Sequence, residues 1–422
     1  MVRFKLALIT AIRNLVYRVA LRYAIGIRTQ GACSVLILPG GDGGESAGPH
    51  SFGDEMLLLG LLDGLKGRFL GNITILQMNG PTDRTVVLNG VPVKVIGFSR
   101  NWVSFSSFKE FISIAVSYSH FVVIGADVMD NAYSVLNTVQ RVRFLLLAAA
   151  MGLKTVVTGC SFNEDVDPHT RELLKTAERA GTFISARDGV SLDRMLKFLT
   201  NVRLVADLAF GIDAEEHSLP LRIAAIRDRA RRWREQDGVV IGVNLCGWHI
   251  KDKDKFFTDF IAALLQWDSS SRRVGLILIP HDTRNDRLSD LDTLTEFQTR
   301  LGGRITVIGT PQEVRSGIEA KQAVRCCDVL LTGRMHLAIA ALDQGVPPVS
   351  FCYQGKFEGL YQMFGLSSEW LMAYDTPDKA VDTLRQVQDK RDEWSDLIKG
   401  HVTGVRMLAH HNFDWLEGVA LC

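Results

Sequence analysis

Short runs of apolar, β-branched residues exchange with longer segments of helical period along nearly the whole chain. The short runs fall at 34–39, 73–78, 93–98, 121–126, 154–159, 183–186 and 202–206, then at 238–245, 273–280, 304–309, 328–333 and 347–353. Helical patterns lie between most of them, as at 53–66, 133–151, 168–180, 253–267, 311–323 and 335–344. Strands that read apolar throughout are buried on both faces, and strands that exchange regularly with helices pair in parallel. The pattern predicts an α/β protein with parallel sheets covered by helices. One segment, 221–237, breaks the series with helical period, a run of arginines and no strand. It divides the chain into an N-terminal α/β domain at 31–212, a linker helix at 213–237 and a C-terminal α/β domain at 238–375. Helices are expected over 376–422, where Trp394, Leu397, Leu408 and Trp415 offer a face that would pack back onto the first domain.

Composition changes this picture little. A length of 422 residues suits about two domains. The net charge of +1 gives no basic field for nucleic acid. The arginines of 221–237 are interrupted by Asp228, Glu235 and Asp237, as on a solvated helix. The seven cysteines show no paired metal-ligand spacing, and several sit in strand runs. They read as reduced core thiols in a cytoplasmic protein that holds no metal.

Residues 1–30 stand apart. They carry Arg3, Lys5, Arg13, Arg18, Arg22 and Arg28 among apolar residues, with no acid. Charges recur too often for a membrane span, and no signal-peptide pattern is present. Two readings remain: a basic amphipathic helix on the anionic inner face of the plasma membrane, or a helix packed on the first domain.

Candidate chemistry gathers where strands end. In α/β sheets ligands bind beyond the carboxyl ends of strands, where helix N-termini present their N–H groups. The run Val329–Thr332 ends at Gly333 and is followed by Arg334, Met335 and His336 as a helix begins. A fixed cation beside an imidazole suits an anionic ligand that also receives a proton. Phe183–Ala186 delivers Arg187 and Asp188, either as a ligand cation or as an ion pair and helix cap. Leu276–Ile279 leads through Pro280 to His281 and Asp282, either an oriented acid/base pair or turn residues. Lys356 follows the last strand. The first strand opens into a glycine loop at 39–54 that fits neither a dinucleotide fingerprint nor a P-loop. Its Gly44-Glu-Ser-Ala-Gly48 has the letters of a nucleophile elbow, yet Ser46 lies well past the strand, so the match is coincidental. Asp54 and Glu55 complement the dipole of the helix that follows. The sum is a basic site for acid–base chemistry on a small polyanion.

These pieces together resemble the polysaccharide pyruvyl transferase family from about Ser34 to Gly365. The matching segments are Gly53-Asp-Glu55, Val122–Asp127, Ile184-Ser-Ala-Arg-Asp188 with Ser191, Asp207–Phe210, Ile241–Asn244, Ile279-Pro-His-Asp282, Thr332-Gly-Arg-Met-His336, Lys356 and Leu360–Leu366. Two departures stand out: Gly125-Ala126-Asp127 where family members often run glycines, and Phe52 where they often have Asn. The resemblance implies two Rossmann-like domains facing a cleft, as in GT-B glycosyltransferases. It implies transfer of a pyruvyl group from phosphoenolpyruvate, a co-substrate, to two hydroxyls of one sugar residue as a cyclic ketal, with no metal or other cofactor. By the same resemblance Arg187 and Arg334 bind the donor, with Met335 and Lys356 nearby, and His336 is the acid. His281 and Asp282 lie at the acceptor side or act as base, and Gly53, Asp54 and Glu55 contact substrate. The acceptor is a polysaccharide or a lipid-linked precursor. Two rival readings share the architecture or the setting: a nucleotide-sugar GT-B glycosyltransferase, and a non-catalytic subunit of a polysaccharide assembly complex.

Overall fold

The computed structural model describes residues 2–27, 29, 33–41, 50–69, 72–78, 83–98, 105–270, 272–284, 289–352 and 355–417. The Ser46 motif lies outside them. Two compact units form. The first comprises residues 1–45, 61–207 and 408–422, and the second 46–60 and 208–407.

The first unit begins with helix α1 (Val2–Ile25) and strand β1 (Val35–Leu38). Helix α2 (Phe52–Leu65) follows, its first half counted in the second unit and its remainder in the first. Then come β2 (Ile73–Met78), β3 (Arg84–Leu88), β4 (Val91–Phe98), α3 (Phe105–Ala115) and β5 (His120–Val123). After these run α4 (Val135–Ala150), β6 (Lys154–Cys160), α5 (Pro168–Arg179), β7 (Phe183–Ala186), α6 (Gly189–Leu196) and β8 (Arg203–Leu204). The sheet order is β3-β4-β2-β1-β5-β6-β7-β8, parallel except for the β3–β4 pair. That pair is a hairpin whose turn residues Asn89 (φ 48°) and Gly90 (φ 74°) take the left-handed conformation that matches strand twist. Helix starts follow local chemistry: the Ser134 side chain accepts from Asn137 N–H at α4, and Asp167 caps α5 with Pro168 in its first turn. The core is aromatic, with Phe111 stacked on Phe144 at 4.5 Å and edge-on to Phe121 at 5.1 Å. Tyr17, Ala20 and Ala24 of α1 are buried in the same core. The end of the chain completes this unit. Asn412, fully buried, accepts from Gly159 N–H at 2.9 Å and donates to Ala206 O at 2.8 Å.

The second unit continues with α7 (Leu221–Arg234), β9 (Val239–Val243), α8 (Lys253–Ser270), β10 (Val274–Leu278), α9 (Asp290–Leu301), β11 (Thr306–Gly309) and α10 (Gly317–Val324). It ends with β12 (Val329–Thr332), α11 (Met335–Asp343), β13 (Pro348–Phe351), α12 (Phe357–Met363), β14 (Leu371–Met372), α13 (Pro377–Asp389) and α14 (Arg391–His410). Its sheet runs β11-β10-β9-β12-β13-β14, all parallel. This is the Rossmann order, in which the connections reverse direction between β9 and β12. A crevice forms beyond the strand ends at that reversal, so the topology itself marks where a ligand can bind. Arginines of α7 are tied to their own unit: Arg229 to Glu313 at 2.6 Å and Arg234 to Asp328 at 2.8 Å. Cys160, Cys246, Cys326, Cys327 and Cys352 are free thiols, but Cys33 is disulfide-bonded, so the expectation of reduced cysteines fails there.

Candidate functional site

The carboxyl ends of β9, β10 and β12 converge on one buried side chain. Asn244, directly after β9, donates to Ile279 O at 3.0 Å and to Asp290 at 2.9 Å. Its carbonyl oxygen accepts from Thr332 Oγ1 and Gly333 N–H, each at 3.2 Å. Asp290 opens α9, which Ser289 caps, and its carboxylate is fully buried. It receives the Arg334 guanidinium through Nη2 at 2.7 Å and Nε at 3.1 Å, and His281 N–H at 3.1 Å. Burial pushes the Asp290 carboxyl up, while Arg334 and Asn244 hold it down. So many donors suit an ionised acceptor. Arg334 is thereby fixed at the start of α11 and keeps some solvent access, at 16%.

His281 and Asp282 do not pair with each other. The Asp282 carboxylate accepts from Arg284 Nε at 3.0 Å and lies 3.7 Å from Arg334. His281 is buried, and neither ring nitrogen has a hydrogen-bond partner. Its ring stacks against His336 with centroids 6.3 Å apart and meets Phe52 edge-on at 5.9 Å. Burial first, then the charges of His336, Arg334 and His50, pushes its pKa well below 6.5. His281 is therefore a neutral imidazole at pH 7.

The segment from His50 reaches this site from far upstream in the sequence. Ser51 bridges Asp282 antiparallel, Phe52 N–H donates to His281 O at 3.0 Å, and Thr283 N–H donates to His50 O at 2.9 Å. Helix α2 thus starts against the end of β10, with Asp54 and Glu55 in its first turn. Glu55 accepts from the His50 ring at 3.0 Å and from Gly317 N–H, at the start of α10, at 2.8 Å. Gly53 touches the His336 ring. Met335 and Lys356 are buried, Lys356 at the N-terminus of α12. One unit therefore gathers Gly53, Glu55, His281, Asp282, Arg334 and His336. Asn244, Asp290 and His50, which complete the arrangement, are not among the residues the sequence points to individually. Asn244 lies in the Ile241–Asn244 segment and His50 in the glycine loop at 39–54, whereas Asp290 left no trace.

Arg187 belongs to the first unit. It donates from Nε to Ser161 Oγ at 2.6 Å and from Nη1 to Asp207 at 2.9 Å, with both charged side chains 2% exposed. Asp188 caps α6, accepting from Ser191 N–H at 2.7 Å. Both the ion pair and the cap weighed from sequence are formed. Among the described residues no three His, Cys, Asp or Glu side chains gather as a metal site.

Comparison with known proteins separates fold from family. No curated protein matches the chain. Among solved structures, Anabaena HepE, crystallised with UDP, aligns over 91% of this chain and 100% of its own at 14% identity and a TM-score of 0.55. A putative UDP-N-acetylglucosamine 2-epimerase of Listeria monocytogenes aligns over 92% and 96% at 10% identity, TM-score 0.60. The trehalose 6-phosphate synthase of Burkholderia multivorans aligns over 92% and 97% at 12% identity, TM-score 0.51. Likeness at such identities is likeness of fold, here the GT-B type with two Rossmann-like units. The family model for polysaccharide pyruvyl transferases instead matches residues 52–355, from Phe52 beside His281 to the turn before Lys356. With most of the chain matched and the switch-point residues inside the match, this protein belongs to the polysaccharide pyruvyl transferase family.

Proposed function

We propose that the protein transfers a pyruvyl group from phosphoenolpyruvate to two hydroxyls of one sugar residue, in a polysaccharide or its lipid-linked precursor. The observation that carries this is Arg334 and His336 at the start of α11, with Arg334 clamped by Asp290 and His336 against Gly53. In this reading Arg334, with Met335 and Lys356, holds the donor's phosphate and carboxylate. His336 protonates the donor methylene carbon while the first sugar hydroxyl attacks the neighbouring carbon and gives its proton to the base on the acceptor side. The second hydroxyl then displaces phosphate, and its proton leaves with that phosphate or restores the acid. His281 and Asp282 serve the acceptor side. The neutral state of His281 is the form a base needs, and Glu55 positions His50 beside it. Phosphoenolpyruvate is a co-substrate here, and the mechanism calls for no other cofactor.

We further assign α1 to the inner face of the plasma membrane. No described helix is long and apolar enough to cross a membrane. One face of α1 is buried in the first unit, while Leu15, Arg18, Val19, Arg22 and Tyr23 are exposed. A cytoplasmic enzyme so anchored would meet lipid-linked acceptors.

The test is phosphate release from phosphoenolpyruvate with a panel of sugar acceptors, lipid-linked forms included, and the product mass. Acceptor-dependent phosphate with the mass gain of a pyruvyl ketal is expected. The fold shared with UDP-bound HepE supports a second reading, nucleotide-sugar glycosyl transfer. Silence in the phosphate assay with tight nucleotide-sugar binding would select it, and silence with neither ligand bound would select a scaffold subunit.

A further inference from the structure

A cavity of about 400 Å³ opens in the second unit. Its walls follow the carboxyl ends of three parallel strands: His249 after β9, Cys352 after β13, and Ala373 and Tyr374 after β14. Ligands collect at such ends, and the volume falls in the range of small-molecule sites.

The lining differs in kind from the Arg334 turn. Tyr374 is locked by stacking on Phe351, centroids 4.6 Å apart at 21°, with His249 at 5.5 Å and Phe256 at 6.4 Å. Lys251, Lys255, Asp252, Asp259 and Asp375 also line it, and Lys255 pairs with Asp259 at 2.5 Å. The His249 pKa is pushed down to about 4 by burial and by Arg334 and Lys356, so this ring is uncharged at pH 7. Among the lining side chains themselves three aspartates stand against two lysines, so they hold no cationic excess for a dianion or a diphosphate. Carboxylates accept hydrogen bonds from hydroxyls, and the fixed Tyr374 and His249 rings offer an aromatic wall.

The cavity also adjoins the donor residues. A side chain at Gly333 would run into the Tyr374 hydroxyl, so the cavity wall and the Arg334 turn are in contact. Arg334 and Lys356 are close enough to act on His249, which lines the cavity.

We propose that this cavity is an acceptor subsite for a sugar residue next to the one that reacts at His281 and Asp282: it takes a neutral pyranose, one face on the Tyr374–His249 wall and its hydroxyls on Asp252 and Asp375. The assignment as acceptor rests on the pyruvyl-transfer reading, whereas the binding of a neutral sugar does not. A nucleotide-sugar donor is disfavoured here because its diphosphate would meet three aspartates.

Saturation-transfer NMR on the full chain tests this with methyl glucosides, galactosides and mannosides as probes, and UDP and phosphoenolpyruvate as anionic ones. Transfer to at least one pyranoside is expected. It should fall about fivefold or more in Tyr374→Leu and in the double variant Asp252→Ala/Asp375→Ala. Phosphoenolpyruvate binding should stay within about twofold. The aspartates are exposed; Asp252 also caps α8 by accepting from Lys255 N–H at 3.0 Å, so the double variant gives up that cap but no buried contact and keeps its fold if Tyr374→Leu does not. Pyranoside signals indifferent to both changes would overturn the proposal, as would silent pyranosides with UDP binding lost in Tyr374→Leu. Variant-sensitive pyranoside binding without phosphate release from any acceptor would sink the transfer reading and leave the sugar site standing.

Discussion

Gly53 and His336 meet without any side chain between them: a methyl group on the Gly53 Cα would stand 2.5 Å from Nδ1 of the imidazole. The first turn of α2 and the first turn of α11 are therefore fitted to each other, although 283 residue numbers separate them. Gly53→Ala forces the ring away. A core overpacked by one methyl loses about 1–3 kcal/mol, and a displacement near 1 Å in a reacting group costs about a hundredfold in rate. We expect kcat to fall at least about tenfold while the melting temperature drops by only a few degrees. Full activity in a correctly folded Gly53→Ala would remove His336 from the acid role.

Asp290 tests the clamp on Arg334. Asp290→Ala leaves a guanidinium in a largely buried place without its carboxylate, which costs about 3 kcal/mol or more. Asp290→Asn keeps the shape and some hydrogen bonds but frees Arg334 to swing. The expected result is a raised KM for phosphoenolpyruvate in Asp290→Asn, with acceptor KM within about twofold. Equal effects on both substrates would show that Asp290 only supports the sheet ends.

Much of the fold is legible in the sequence because parallel strands buried on both faces leave unbroken apolar runs. The strand β3 is not, since its residues alternate between half-buried and exposed and so make no such run. Its one local signal is Asn89-Gly90. The strand-end rule also finds Arg334, His336 and His281. It cannot find what holds them. Asp290 lies 44 positions from Arg334, and Asn244 lies 88 from Thr332. Such pairings are set by sheet order, which carries no local pattern. The same is true of His50 and Gly53, brought to the second unit by three backbone contacts with residues 281–283.

Ala126 marks the place where this chain departs from the family's glycine run. It has φ of 44°, which costs a residue with a Cβ about 1–2 kcal/mol. Its neighbour Gly125 has no room for a side chain, since one would strike Thr158 O. Ala126→Gly should therefore raise stability toward denaturant by about 1 kcal/mol without a change in m-value. A loss of stability would mean that the alanine methyl packs more usefully than its backbone is strained.

The exposed face of α1 predicts a lipid dependence. Each basic residue near an anionic surface contributes about 1 kcal/mol. Arg18→Glu with Arg22→Glu should cut binding to phosphatidylserine-containing vesicles by at least about thirtyfold, and have little effect on zwitterionic ones, which should bind weakly throughout. Phosphate release with a soluble acceptor should be unchanged. Vesicle binding that ignores both charges would assign α1 to packing alone.

His120 supplies a pH signature that owes nothing to catalysis. Its ring lies 5.2 Å from Phe69 and 5.4 Å from Trp415, and burial, with Lys154 second, pushes its pKa down to about 4. A histidine lowered on folding takes its proton more readily in the unfolded chain. Its contribution is complete above the ordinary value of 6.5 and is lost as pH falls from there toward 4. Full burial would make the loss about 3 kcal/mol, and partial solvent access near the ring brings it to about 2 kcal/mol. His281 and His249, also held neutral, add to the same acid limb. Thermal melts at pH 7.5 and 5.0 should show the wild-type protein losing more stability than His120→Gln, which cannot take up that proton. Equal losses in the two proteins would mean that His120 is already protonated in the fold or that its site opens before the rest.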